Sequence, residues 1–250
     1  MGKVIAISNH KGGVGKTTSA INIGAGLALK GKKVLLIDLD PQANMTQSLG
    51  LNEPDTGIYE YLKGEQSISS VKIQKNLFLI PSTSGLGGAE LELASEAGRE
   101  FILKELLEEE KEKYDYVFID CPPSLGLLTI NAFTAAQEIY IPMQAQFLAL
   151  QGIGKLLGLV DKIKKRLNPQ LEITGIFITQ FDRRKVLNRY VMDTLESHFG
   201  DKVFATRIRN NVALAEAPNE GCDIFSYQKS SNGAFDYGQL VKEIIKRNAS

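Results

Sequence analysis

The sequence predicts a doubly wound α/β fold, a mostly parallel sheet with helices on both faces. Three observations lead there. Short β-rich apolar runs alternate with longer stretches of helical periodicity, the pattern of repeated βαβ units. Several of the runs are apolar at every position, as strands covered on both faces must be. The first run leads into a glycine-rich segment and then a helical pattern, an order that parallel sheets use to hold phosphate.

The elements follow in order. A first strand is read over Val4–Ser8 and a helix over Thr17–Lys30. Further strands are read at Lys33–Asp38, Leu77–Pro81, Tyr116–Asp120, Ile139–Pro142, Ile173–Thr179 and Val203–Ile208. Helical periodicity covers Glu90–Lys113, Ile153–Leu167 and Val186–Phe199. No repeat, low-complexity tract or linker interrupts this series, so residues 1–250 are expected to form a single domain.

Composition excludes some classes and selects none. The 29 basic residues balance 29 acidic ones. Residues 161–210 hold eleven Lys and Arg against six acids, and residues 88–116 hold ten acids against four bases. Such asymmetry marks a candidate anion-facing side, although solvated helix faces give the same pattern. Cys121 and Cys222 form neither a C-x-x-C pair nor a ligand cluster, which argues against a disulfide framework and a zinc site. Strand-like sequence from Lys3 leaves no room for a secretory leader, and no apolar run approaches a membrane span. A soluble cytoplasmic protein is expected.

Chemistry concentrates at strand ends. Gly12-Gly13-Val14-Gly15-Lys16-Thr17 follows a strand and opens a helix, the setting of a phosphate loop. Glycines let backbone N–H groups turn around phosphate oxygens, and the helix start adds its positive end. Lys16 is expected at the β- and γ-phosphates, and the Thr17 hydroxyl on Mg²⁺. Tyr116–Asp120 is an apolar strand ending in a carboxylate, the usual second anchor for that metal. Asp38 and Asp40 end another strand at alternate positions and are expected to face the metal and the attacking water. The loop departs from G-x-x-x-x-G-K-[ST] in one respect. His10 replaces the first glycine, and a second lysine, Lys11, follows it.

That departure carries a resemblance. Lys11-Gly12-Gly13-Val14-Gly15-Lys16-Thr17-Thr18 resembles the deviant Walker A loop of the ParA/MinD ATPases, a branch of the P-loop NTPases. Asp38-Leu39-Asp40-Pro41-Gln42-Ala43-Asn44 is similar to their switch I, and Asp120-Cys121-Pro122-Pro123-Ser124 to their Walker B and switch II. Val212-Ala213-Leu214-Ala215-Glu216-Ala217-Pro218 looks like a segment of chromosomal ParA (Soj) proteins. The resemblance implies ATP and Mg²⁺ as cofactors, with Lys11 reaching a partner's nucleotide across an ATP-sandwiched homodimer. It implies that Gly12 stays small where two loops meet and that Asp40 positions the hydrolytic water. It also implies a base contact from the loop Ile208-Arg209-Asn210-Asn211, where the family commonly reads Ile-Pro-Arg-Asn and only Asn211 matches.

The task implied is partition. An ATP-bound dimer with slow basal turnover holds nucleoid DNA without sequence preference. A ParB-like centromere-binding protein carrying a chromosome origin or plasmid stimulates hydrolysis. Candidate DNA-phosphate contacts are Arg183, Arg184, Lys185, Arg189, Lys202, Arg207, Arg209 and Lys229. Asn210 and Ala213 stand where relatives carry arginine, so two expected cations are absent. The alternative is a MinD-like membrane-associated or protein-cargo positioning ATPase. For that reading Tyr237, Leu240, Val241, Ile244 and Ile245 would form a membrane-facing stripe. Iron–sulfur carriers of related fold need a cysteine pair across the dimer, which two isolated cysteines do not suggest.

Overall fold

The computed structural model describes residues 2–145, 149–182 and 184–248, without the side chains of residues 149–152, Leu187 and Arg189. Seven strands form one sheet. They are β1 (Lys3–Ile7), β2 (Val34–Asp38), β3 (Val71–Gln74), β4 (Leu77–Ile80), β5 (Tyr116–Asp120), β6 (Glu138–Gln144) and β7 (Glu172–Thr179). Their order is β3-β4-β2-β5-β1-β6-β7, parallel except for the β3–β4 pair.

The helices are α1 (Lys16–Leu29), α2 (Asn44–Ser48), α3 (Ile58–Leu62), α4 (Ala89–Glu92), α5 (Ile102–Glu110) and α6 (Leu127–Ala135). They continue with α7 (Ala149–Arg166), α8 (Val186–Phe199), α9 (Ala213–Glu216), α10 (Ile224–Tyr227) and α11 (Asn232–Asn248).

Side-chain alternation along the strands builds two cores. Val4, Ala6, Leu35 and Ile37 pack with α3, α5, α6, α7 and α8 on one face. Ile5, Ile7, Val34 and Leu36 pack with α1, α10 and α11 on the other. This is the predicted doubly wound arrangement. On α11, Tyr237, Leu240, Val241 and Ile244 are all buried, so the stripe weighed for a membrane serves the core. Gly26 of α1 makes the close packing feasible, because a Cβ there would sit 2.7 Å from Val241 and 3.2 Å from Phe225.

Two expectations fail at the periphery, and one strand was not predicted. Val203–Ile208 is not a strand: it meets β7 through Phe204 N to Ile176 O at 2.7 Å and Ile208 N to Ile178 O at 2.8 Å, with isolated bridges at Ile176–Val203 and Phe181–Arg209. The Glu243 carboxylate takes the N–H groups of Ala205 and Thr206, which a ladder would need. The edge strand β3 escaped notice because it is short and partly exposed, with too little apolar pattern to register. The long helical pattern of 90–113 breaks at Gly98, whose φ of 70° turns the chain left-handed.

Candidate active site

Three strand ends meet on one edge. β5 lies between β1 and β2, with Ile7 and Asp38 both in register with Asp120. The phosphate-loop segment leaves β1 there and enters α1. Gly15 caps the helix at φ 86°, no side chain caps it, and its first turn holds no acid. The helix therefore starts with unsatisfied N–H groups and an uncompensated positive end, which suits an anion. Lys16 is buried at its first position. Val14 is buried, Thr17 and Thr18 are half-buried, and Gly12 and Gly13 are exposed. A Cβ built on Gly12 or Gly13 meets nothing within 4 Å. Lys11 is half-buried, and its backbone N–H donates to Asn9 Oδ1 at 3.0 Å.

Thr17 Oγ1 donates to Asp120 Oδ2 at 2.6 Å. Asp120 is fully buried and its second oxygen, Oδ1, has no partner. Burial first, and the Asp38 charge second, push this carboxyl well above the usual carboxylate range, while Thr17 and Lys16 pull it back. A carboxyl buried this way is favoured as the anion only beside a further cation. Ser8 Oγ, His10 Nδ1 and Asn211 Oδ1 are also buried without a partner. Burial, then the charges of Lys155, Lys11 and Lys16, pull the His10 pKa down, so the loop is already cation-rich. Among the described residues no three His, Cys, Asp or Glu gather into a metal cage. One hydroxyl beside one carboxylate fits Mg²⁺, which keeps waters and takes phosphate oxygens.

Asp38, the register partner of Asp120, has donors on both carboxylate oxygens. Its Oδ2 accepts from Thr46 N at 2.8 Å and Thr46 Oγ1 at 2.7 Å, and its Oδ1 accepts from Asp40 N at 3.3 Å. It ties down α2, whose third residue is Thr46. Burial raises its pKa to about 6, and the Thr46 hydrogen bonds oppose that rise. The strand ends at Asp38, so Asp40 sits in a turn instead of alternating along the strand. It is buried, and its Oδ1 accepts from Gln42 N at 3.0 Å.

Beyond Gly15 lies a cavity of about 250 Å³ lined by Gln180, Asn210, Asn211, Leu214 and Tyr237, among others. Asn211 lines it. Gln180, Leu214 and Tyr237 were not foreseen. They come from the end of β7, from α9 and from α11, and no local spacing connects them. Tyr237 Oη lies 3.0 Å from Ser19 Oγ inside the core, which fixes α11 against α1.

The comparisons agree with this geometry. A family model described as an AAA domain (AAA_31) matches residues 2–173. The chromosome-partitioning ATPase Soj of Treponema pallidum is 49% identical over 251 residues, covering 99% of each chain. The chromosome partitioning protein ParA of Caulobacter vibrioides is 42% identical, over 98% of this chain and 94% of that one. The chain belongs to the ParA/Soj family of partitioning ATPases. Its fold also matches cobyrinic acid a,c-diamide synthase of Mycobacterium smegmatis, crystallised with ADP and magnesium. That structure is 34% identical with a TM-score of 0.88, covering 100% of this chain and 96% of that one.

Against the ParA/Soj pattern, the basic residues separate into groups. Arg209, in the position where the family has proline, directs Nε and Nη2 onto Asp236, the closest contact being 2.7 Å. Asp236 is buried, and Arg209 N also donates to it. This guanidinium is tied to α11 through Asp236. Arg207 lies 5.4 Å from the Phe181 ring centroid and 3.6 Å from Glu196, with its Nε buried and unpartnered. Arg184 forks onto Asp182 of its own loop while remaining exposed. Lys185, Lys202 and Lys229 are exposed. Lys202 follows the far end of α8, about 21 Å of helix from Lys185. Arg183 and the Arg189 side chain lie outside the described residues. Among the described residues, Lys185 and Lys202 therefore stand at opposite ends of α8.

Proposed function

We propose that this chain is an ATP-driven partitioning switch, acting as a single domain. The observation that carries it is the Thr17–Asp120 pair beneath a phosphate loop that contains two lysines, with the second Asp120 oxygen buried and unpartnered. Thr17 and Asp120 would hold magnesium, which would supply positive charge against the phosphates. Asp38 acts one step back, fixing α2 and the turn that carries Asp40. The N–H groups from Gly12 to Thr18 and Lys16 hold the β- and γ-phosphates. Asp40 orients the attacking water. Asn211 receives adenine, because its buried Oδ1 needs a donor and the base's 6-amino group is one.

Lys11 acts in trans. Negative charge shifts during γ-phosphoryl transfer, and a cation from the partner protomer stabilises it as an arginine finger does. Hydrolysis thereby depends on dimerisation. The ATP dimer binds DNA without sequence preference, adding the scattered cations of two protomers on one duplex. It associates with the nucleoid in the cytoplasm, and a ParB-like protein on a chromosome origin or plasmid triggers slow hydrolysis and release. The burial of the α11 stripe supports this reading over a membrane-bound MinD-like one.

Light scattering with and without ATP and Mg²⁺ tests the switch. A monomer should become a dimer with ATP for the intact chain, while Lys11→Ala still binds nucleotide yet fails to dimerise productively. A normal ATP dimer in Lys11→Ala removes the trans role.

A further inference from the structure

The phosphate loop is held from behind by the ends of two strands. Gln144, last residue of β6, donates its Nε2 to Gly13 O at 2.7 Å. Gln180, just past β7, donates its Nε2 to the same oxygen at 3.0 Å. Thr179 Oγ1 donates to Val14 O at 2.7 Å. The shared acceptor is a carbonyl, so only the nitrogen end of each glutamine amide can serve. Gln180 has φ 51°, a left-handed conformation rare for a residue with a side chain.

A trans peptide is planar, with the C=O of one residue and the N–H of the next pointing opposite ways. Holding the Gly13 and Val14 carbonyls toward β6 and β7 therefore turns the Val14 and Gly15 N–H groups to the other side of the loop. Sterics alone would not fix this. Gly13 and Gly15 have φ of 71° and 86°, and a Cβ on Gly13 would meet nothing within 4 Å. Glycine peptides with that freedom rotate readily. The hydrogen bonds set the planes.

We propose that Gln144 and Gln180 are positioning residues for nucleotide binding. Together they fix the Gly13 carbonyl and so aim the Val14 N–H at the phosphates, without touching them. Gln180 also lines the base cavity, so one residue orders both ends of the nucleotide site. This rests on the ATP-binding reading above.

The test uses the full chain with Gln144→Ala, Gln180→Ala, the double variant, and Gln144→Glu combined with Gln180→Ala. Two donors on one acceptor back each other up. Each single change should weaken binding of a fluorescent ATP analogue by less than about threefold, and the double by about tenfold or more. Gln144→Glu keeps the shape and loses the donor, so in the Gln180→Ala background it should bind at least as weakly as the double alanine variant. Far-UV circular dichroism should stay that of the parent, so that weaker binding is not a loss of fold. In the nucleotide-free chain, the amide ¹⁵N–¹H signals of Val14 and Gly15 should move or broaden mainly in the double variant. Strictly additive single effects, unchanged ATP binding in the double variant, or unmoved Val14 and Gly15 signals each overturn the proposal. If the intact chain binds no ATP, the nucleotide reading fails instead, and the amide signals still judge the clamp.

Discussion

Asp38 and Asp120 are register partners at the ends of adjacent parallel strands, both fully buried. Two carboxylates so placed disfavour each other's ionisation. The chain divides their work. Asp38 has donors on both oxygens, whereas Asp120 has one on Oδ2 and none on Oδ1.

Asp120→Asn should therefore stabilise the nucleotide-free chain. Thr17 can still donate to the amide oxygen, and a buried charge disappears. Tm should rise by about 2–4 °C for each kcal/mol released. Mg²⁺-dependent hydrolysis should fall by about 100-fold or more. Calorimetry and phosphate release check both, and a lower Tm for the variant would count against the buried-charge account.

Gly12 separates a requirement of the chain from one of the dimer. Its own protomer leaves space for a Cβ, and its φ is not left-handed. Gly12→Val should thus keep Tm within about 1 °C, the scale of a neutral surface change, yet lose the ATP dimer. A variant that still dimerises would show that the loops do not meet closely.

Asp40→Ala should bind ATP and dimerise but hydrolyse very slowly, trapping the dimer. Removal of the group that orients a nucleophile costs about 10²–10⁴-fold in rate. Turnover equal to the parent's would take Asp40 out of the catalytic set.

DNA binding should require ATP and should not depend on sequence. With roughly four to eight phosphate contacts per dimer, the log–log salt slope should be about −4 to −7. Lys185→Ala should lower the slope by about one unit. Arg209→Ala should behave differently, because its guanidinium is committed to buried Asp236. It should cost about 1–3 kcal/mol of stability and change the slope little. Gel shifts on unrelated duplexes and thermal melts separate these outcomes. An absence of ATP-dependent binding at low salt would favour a protein-only positioning ATPase.

The sequence by itself determined the parallel body of the sheet and the strand–loop–helix order of the glycine-rich segment. Six of the seven predicted runs are strands, because buried parallel strands must be apolar at every position and few other segments are. Lys16 and Thr17 were legible because strand, loop and helix follow one another in the chain, and Asp120 because it ends an apolar strand, but the fold brings Thr17 and Asp120 together across 103 residues. Tertiary structure decided what spacing cannot encode. Asp38 faces Thr46 because α2 folds back over the end of β2. Arg209 meets Asp236 across 27 residues because α11 packs on α1. Gln144 and Gln180 reach Gly13 from 131 and 167 residues away, and neither stands in any motif. A lone glutamine carries no local signal. Its role comes from which carbonyl the fold places within 3 Å of its amide.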